Sequence, residues 1–128
     1  MRWFYGDAAR SLIHERDIAA VSVRALTEDR HAGKTYNVTG PTTLTQIEQM
    51  RAISAAIGRP LRWEEMLPDV ARERLLAGMP PSVIDDILNA HAAFVTEPEP
   101  VTSTVQEVTG RPARAFHDWA TDHAGDFR

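Results

Sequence analysis

Ile18, Val21 and Ala25, with Ala19, Val23 and Leu26 beside them, recur at helical spacing and predict a first helix over 16–26. Asp17 stands near its start, where a carboxylate caps free backbone amides. After the turn His31-Ala32-Gly33, the β-branched and aromatic run 35–39 is too short for a helix and closes on Gly40-Pro41, so it predicts the clearest strand of the chain. Thr45 with Glu48 three residues on makes a capping box, and Ile47, Met50, Ile53 and Ile57 then share one face up to Gly58 and Pro60. Leu61 and Trp63 alternate with Arg62 and Glu64 as a short half-buried strand over 61–64. Pro68 opens a short helix that runs from Val70 to Ala77 and ends at Gly78. Met79-Pro80-Pro81-Ser82 then breaks the chain. Val83, Ile84, Ile87, Leu88, His91 and Phe94 form the next apolar stripe, followed by the stiff connector Glu97-Pro98-Glu99-Pro100. Thr104 and Glu107 form a second capping box, Gly110 to Pro112 a break, and a last helix centres on Phe116 and Trp119.

These elements describe an α/β fold in which helices dominate, around a small, mostly parallel sheet, since helices connect the strands. Its strands are expected at 35–39 and 61–64, joined by 3–5 or 11–14. With 128 residues there is room for one modest core, so a single domain is expected. Residues 68–100, helical and broken by glycine and proline, form its lid-like segment, and 101–128 its C-terminal helices.

Four stretches carry a family likeness: Ile13-His14-Glu15-Arg16-Asp17-Ile18 through Leu26; Lys34-Thr35-Tyr36-Asn37-Val38-Thr39-Gly40-Pro41; Leu44-Thr45-Gln46-Ile47-Glu48 through Pro60; and Val108-Thr109-Gly110-Arg111-Pro112 through Trp119. In order and spacing they resemble NmrA-like proteins, the atypical branch of the extended short-chain dehydrogenases that bind NAD(P). The likeness covers nearly the whole chain. It implies that 1–67 are late Rossmann-like strands and helices, that a nucleotide-binding half comes before this point in the family and is missing here, and that the chain is the C-terminal, substrate-side portion of an incomplete NAD(P)-binding protein. NAD(P) would then be the cofactor of a full-length relative, with none expected for this chain alone.

The residues agree with that division. A dinucleotide site needs a glycine-rich turn between strand and helix, and the seven glycines, at 6, 33, 40, 58, 78, 110 and 125, are too dispersed to make one. Short-chain dehydrogenases also pair a tyrosine with a lysine four residues on, and neither Tyr5 nor Tyr36 has that lysine. The five histidines lack metal-site spacing, with His117 and His123 read as surface residues of the last helix and His91 as a core or pocket-wall residue. No glycine-flanked serine elbow surrounds any serine, and the absence of cysteine removes disulfides, thiolate metal sites and a thiol nucleophile.

A formal net charge of −4, with arginines scattered along the chain, argues against nucleic acid. No apolar run is long enough for a membrane span or a signal peptide, so a cytoplasmic location is expected. One lysine against thirteen arginines, with abundant alanine, fits a GC-rich bacterial genome.

Trp3, Phe4, Tyr5, His14, Met66, Met79 and Phe94 are the candidate lining of a pocket for a hydrophobic small molecule, chosen for apolar character and position. His14 is the single catalytic candidate, because in the family the strand before this helix ends near the cofactor and substrate cleft. Three functions are compatible with these residues: the substrate-binding portion of an NmrA-like oxidoreductase or redox sensor, a standalone cofactor-independent cyclase or isomerase, and a non-catalytic interaction module. A fragment with open strand edges is expected to self-associate through an exposed strand or helix surface.

Overall fold

The computed structural model describes residues 1–127. Four two-residue strands and six helices follow one another as β1 (Arg2–Trp3), β2 (Ala9–Arg10), α1 (Glu15–Thr27), β3 (Leu44–Thr45), α2 (Gln46–Ile57), β4 (Glu64–Glu65), α3 (Pro68–Arg74), α4 (Pro81–Thr96), α5 (Thr104–Thr109) and α6 (Phe116–Asp122). Short 3-10 turns lie at Asp29–His31 and Ala124–Phe127. Helices dominate, as their sequence periodicity requires.

The expected single sheet is instead two separate ladders. β1 and β4 pair in parallel, Arg2 with Glu64 and Trp3 with Glu65, whereas β2 and β3 pair antiparallel, Ala9 with Thr45 and Arg10 with Leu44. The strand expected at 61–64 is therefore shifted to 64–65, and the one at 11–14 gives way to 9–10. Residues 35–39 are not a paired strand. Tyr36 and Val38 do pack inward on Val21, Val105 and Val108, and Thr35 and Asn37 face outward, so the period of two is present. What is missing is a ladder beside it: the Thr102 hydroxyl donates to Asn37 O at 2.8 Å, the Thr102 N–H to Thr39 Oγ1 at 2.9 Å, and the Gly40 N–H to Ser11 O at 2.9 Å. Isolated partners replace a neighbouring strand.

Two cores hold the fold. Under the parallel ladder, Phe4, Met66, Ala71, Leu76, Ile84 and Leu88 bury one another, with Trp3, Tyr5, Val70 and Ile87 packed around them. Between α1 and α5 lies the second, smaller cluster of Val21, Val105 and Val108. The turn after β1 is held tightly, since the Gln46 amide donates to both Phe4 O and Tyr5 O and the Gly6 N–H donates to the Glu65 carboxylate at 3.1 Å. Tyr5 there has φ 52°, a strained value for a residue with a side chain, which these contacts impose. At Gly40 a Cβ would run into the Leu12 carbonyl oxygen, so only glycine permits this close backbone approach.

Helix ends mostly follow the local chemistry. The Thr45 and Glu48 capping box opens α2, and Gly58, at φ 64°, closes it. α3 starts at Pro68 but ends at Arg74, short of Ala77. The second capping box is not formed as expected: α5 begins at Thr104 itself, Ser103 is its N-cap, and the Ser103 hydroxyl donates to Glu107 Oε1 at 2.9 Å. Nor is Asp17 a cap. The His14 imidazole takes that role, accepting from the Arg16 N–H through Nδ1 at 3.2 Å, and Asp17 is turned inward with 2% exposure.

Candidate functional site

Asp17 explains how the start of α1 meets the C-terminal helix. Its carboxylate accepts the Arg114 backbone N–H at 2.7 Å through Oδ2 and pairs with the Arg114 guanidinium through Oδ1. That clamp fixes the segment leading into α6, so Phe116 and Trp119 stand over the residues just before α1. Between them lies a recess of about 210 Å³ lined by Leu12, Ile13, His14, Phe116 and Trp119. Its walls are apolar and aromatic, with the Phe116 and Trp119 rings 5.2 Å apart and tilted by 30°.

His14 is the polar group of this recess, and it is 2% exposed. Because Nδ1 accepts the Arg16 N–H, the tautomer that this cap requires carries its proton on Nε2. Nε2 has no hydrogen-bond partner; its nearest charge is Asp122 Oδ2 at 3.4 Å. A buried donor left unsatisfied is costly, and this one is enclosed, so an acceptor atom reaches it only in place of Asp122.

Charged groups gather around His14. Asp122 also pairs with Arg16 at 3.1 Å, while Glu15 lies 3.3 Å from His14 Nδ1 and 2.8 Å from His123 Nε2. His123 reaches Asp126 with its other nitrogen at 3.0 Å and stacks on Trp119 with centroids 4.9 Å apart. Hydrogen bonds from Glu15 and then Asp126 raise the pKa of His123, and the same His123 contact is the main cause that lowers Glu15. Glu15 is exposed and His123 half-buried at the surface, so these contacts orient side chains and contribute little to stability.

The seven expected lining residues do not share one cavity. Trp3, Phe4, Tyr5 and Met66 meet in the main core, where Phe4 is fully buried and stacks on Trp3 at 4.9 Å. His91 packs beside them, edge-on to Phe4 at 5.1 Å. Phe94 lies under the Arg10 guanidinium at 5.1 Å, and Met79 is 45% exposed. His14 alone lines the recess. Leu12, Ile13, Phe116 and Trp119 were missed by the sequence reading, although an apolar pair directly before a helix and an aromatic pair at i, i+3 are visible in the sequence.

No family model matches the chain. A Streptomyces griseus protein named (4-alkanoyl-5-oxo-2,5-dihydrofuran-3-yl)methyl phosphate reductase is 45% identical over 128 residues, which are 99% of this chain and 45% of that protein. An NAD(P)H azoreductase from Xenophilus azovorans is 41% identical over 126 residues, 95% of this chain and 43% of its own. Its relatives are reductases. Among solved structures, the Citrobacter triphenylmethane reductase complexed with NADP(H) superimposes with a TM-score of 0.75 at 18% identity, over 97% of this chain and 44% of that one. The fold is thus one found in NAD(P)-binding reductases. The chain spans less than half the length of the curated relatives it matches.

Proposed function

We propose that this chain is the substrate-side portion of an NAD(P)H-dependent reductase, and that the His14 recess receives the flat ring of the electron acceptor. The observation that carries this reading is the 45% identity to a reductase along the whole chain, joined to an apolar, aromatic-walled recess with one unsatisfied buried donor. A ring stacks on Phe116 and Trp119, and a carbonyl or azo acceptor on it takes the Nε2 proton as a hydrogen bond. The chain's own residues bind and orient; the hydride donor belongs to NAD(P)H.

The residues present do not fit a dinucleotide. The one direct strand-to-helix passage, β3 into α2, has its N-terminus filled by the Thr45 hydroxyl and the Glu48 carboxylate, and no glycine opens it to a pyrophosphate. At α1 the His14 ring occupies the corresponding place. We assign cofactor binding to the part of the longer relatives that this chain does not match.

His14→Asn tests the anchor, because asparagine keeps the cap on α1 and removes the imidazole donor. Fluorescence titration of the 128-residue chain with 1,4-naphthoquinone is expected to show roughly tenfold weaker binding in this variant, the effect of about 1.4 kcal/mol for a lost hydrogen bond. Naphthalene, which has no acceptor, is expected to bind both proteins alike. Equal quinone affinity in wild type and variant would remove His14 from the site.

A further inference from the structure

A second recess, of about 350 Å³, lies on the other core's seam, between α1 and the end of α5. Arg16, Arg24 and Arg111 line it, together with Ala19, Ala20, Val23 and Thr109. Three guanidinium-bearing residues thus converge on one concavity of a chain whose net charge is −4, and no carboxylate lines it.

The arginines differ in what they already hold. Arg16 pairs with Asp122 on α6, at 3.1 Å, and Arg24 with Glu28 at the end of α1, at 2.7 Å. Arg111 makes no ion pair among the described residues. Three positive charges therefore face two carboxylates, both of which lie outside the lining, and the surplus charge falls on Arg111. Between the cations the floor is made of alanine and valine side chains on consecutive turns of α1. Arg16 and Arg24 are eight residues apart, about 12 Å along a helix.

We propose that this recess binds a small amphiphilic anion, a phosphate monoester with a short apolar arm. Arg111 takes the phosphate through its planar fork of donors, Arg24 or Arg16 adds a second cation, and the arm lies along Ala19, Ala20 and Val23. A lone inorganic phosphate would satisfy the arginines but leave the apolar floor wet. An uncharged arm would cover the floor and leave the charge uncompensated. This recess shares no lining residue with the His14 recess, although Arg16 reaches Asp122 beside it, and it does not depend on the proposed function.

Phenyl phosphate is the probe, titrated into the full 128-residue chain by NMR, with inorganic phosphate and benzyl alcohol run alongside. Saturable shifts at the amides of Ala19, Ala20, Val23 and Arg111 are expected, with phenyl phosphate bound more tightly than either control. Arg111→Gln is expected to weaken binding about tenfold, as loss of a charge-assisted contact does. Arg59→Gln, a change at an exposed arginine just past α2, is expected to leave it unchanged, and both variants should melt as the wild type does. Equal losses in the two variants would reduce the effect to general electrostatics and overturn the site. So would inorganic phosphate binding as tightly as phenyl phosphate, or shifts that map elsewhere.

Discussion

Phe4→Ala is expected to destabilise the chain by about 3–5 kcal/mol, the largest effect of any single truncation, read as a lower midpoint in urea or thermal unfolding. Phe4 has no exposed surface and sits at the centre of the cluster of Met66, Ala71, Leu76, Ile84 and Leu88, with Trp3 stacked on one side and Tyr5 and His91 edge-on. Its neighbours cannot collapse into the space. The backbone around it is fixed by Gln46, whose amide holds Phe4 O and Tyr5 O at 2.9 and 2.8 Å. The cavity would therefore persist, and its volume adds to the lost transfer energy. Phe4→Leu, which keeps most of the volume, is expected to cost less than half as much.

Asp17→Ala is expected to cost about 2–3 kcal/mol and to loosen the recess as well. Breaking a buried ion pair by removing one partner costs about 3–5 kcal/mol when the other charge stays buried. Arg114 is 39% exposed and recovers part of its hydration, which lowers the figure. Its backbone N–H, which Asp17 accepts at 2.7 Å, loses its partner outright. Because the same carboxylate fixes the approach to α6, Trp119 fluorescence is expected to shift towards that of a more hydrated indole below the melting transition. Asp17→Asn, which keeps an acceptor for the N–H, should recover part of the stability. Asp17→Ala with unchanged stability and spectrum would show that the clamp does not hold the recess.

The helices were legible in the sequence because their information is local. The Thr45 and Glu48 box, the glycine after Ile57 and the stripe from Val83 to Phe94 act within a few residues, and the structure places α2 and α4 close to where those residues put them. The strands were less legible, since pairing depends on what lies alongside. Residues 35–39 have the composition and the alternation of a strand, yet Thr102 and Ser11 supply only single partners. Asp17 was misread for a related reason. A carboxylate in a first helical turn usually caps, and its true partner lies 97 residues away at Arg114.

The candidate site followed the same division. His14 stood out from the segment that resembles the reductase family, and the structure buries it in a recess. Phe116 and Trp119, which complete that recess, come from the far end of the chain. Trp3, Phe4, Tyr5 and Met66 were chosen for apolar character and position, and apolar character also suits a core, where the structure places them.

An amide-resolved NMR titration of the 128-residue chain with 1,4-naphthoquinone and, separately, with NADPH decides whether the His14 recess takes the acceptor ring. The quinone is expected to shift Leu12, Ile13, His14, Phe116 and Trp119 saturably while NADPH leaves every resonance in place. Saturable shifts with NADPH, or quinone shifts confined to the cluster around Phe4, would contradict it.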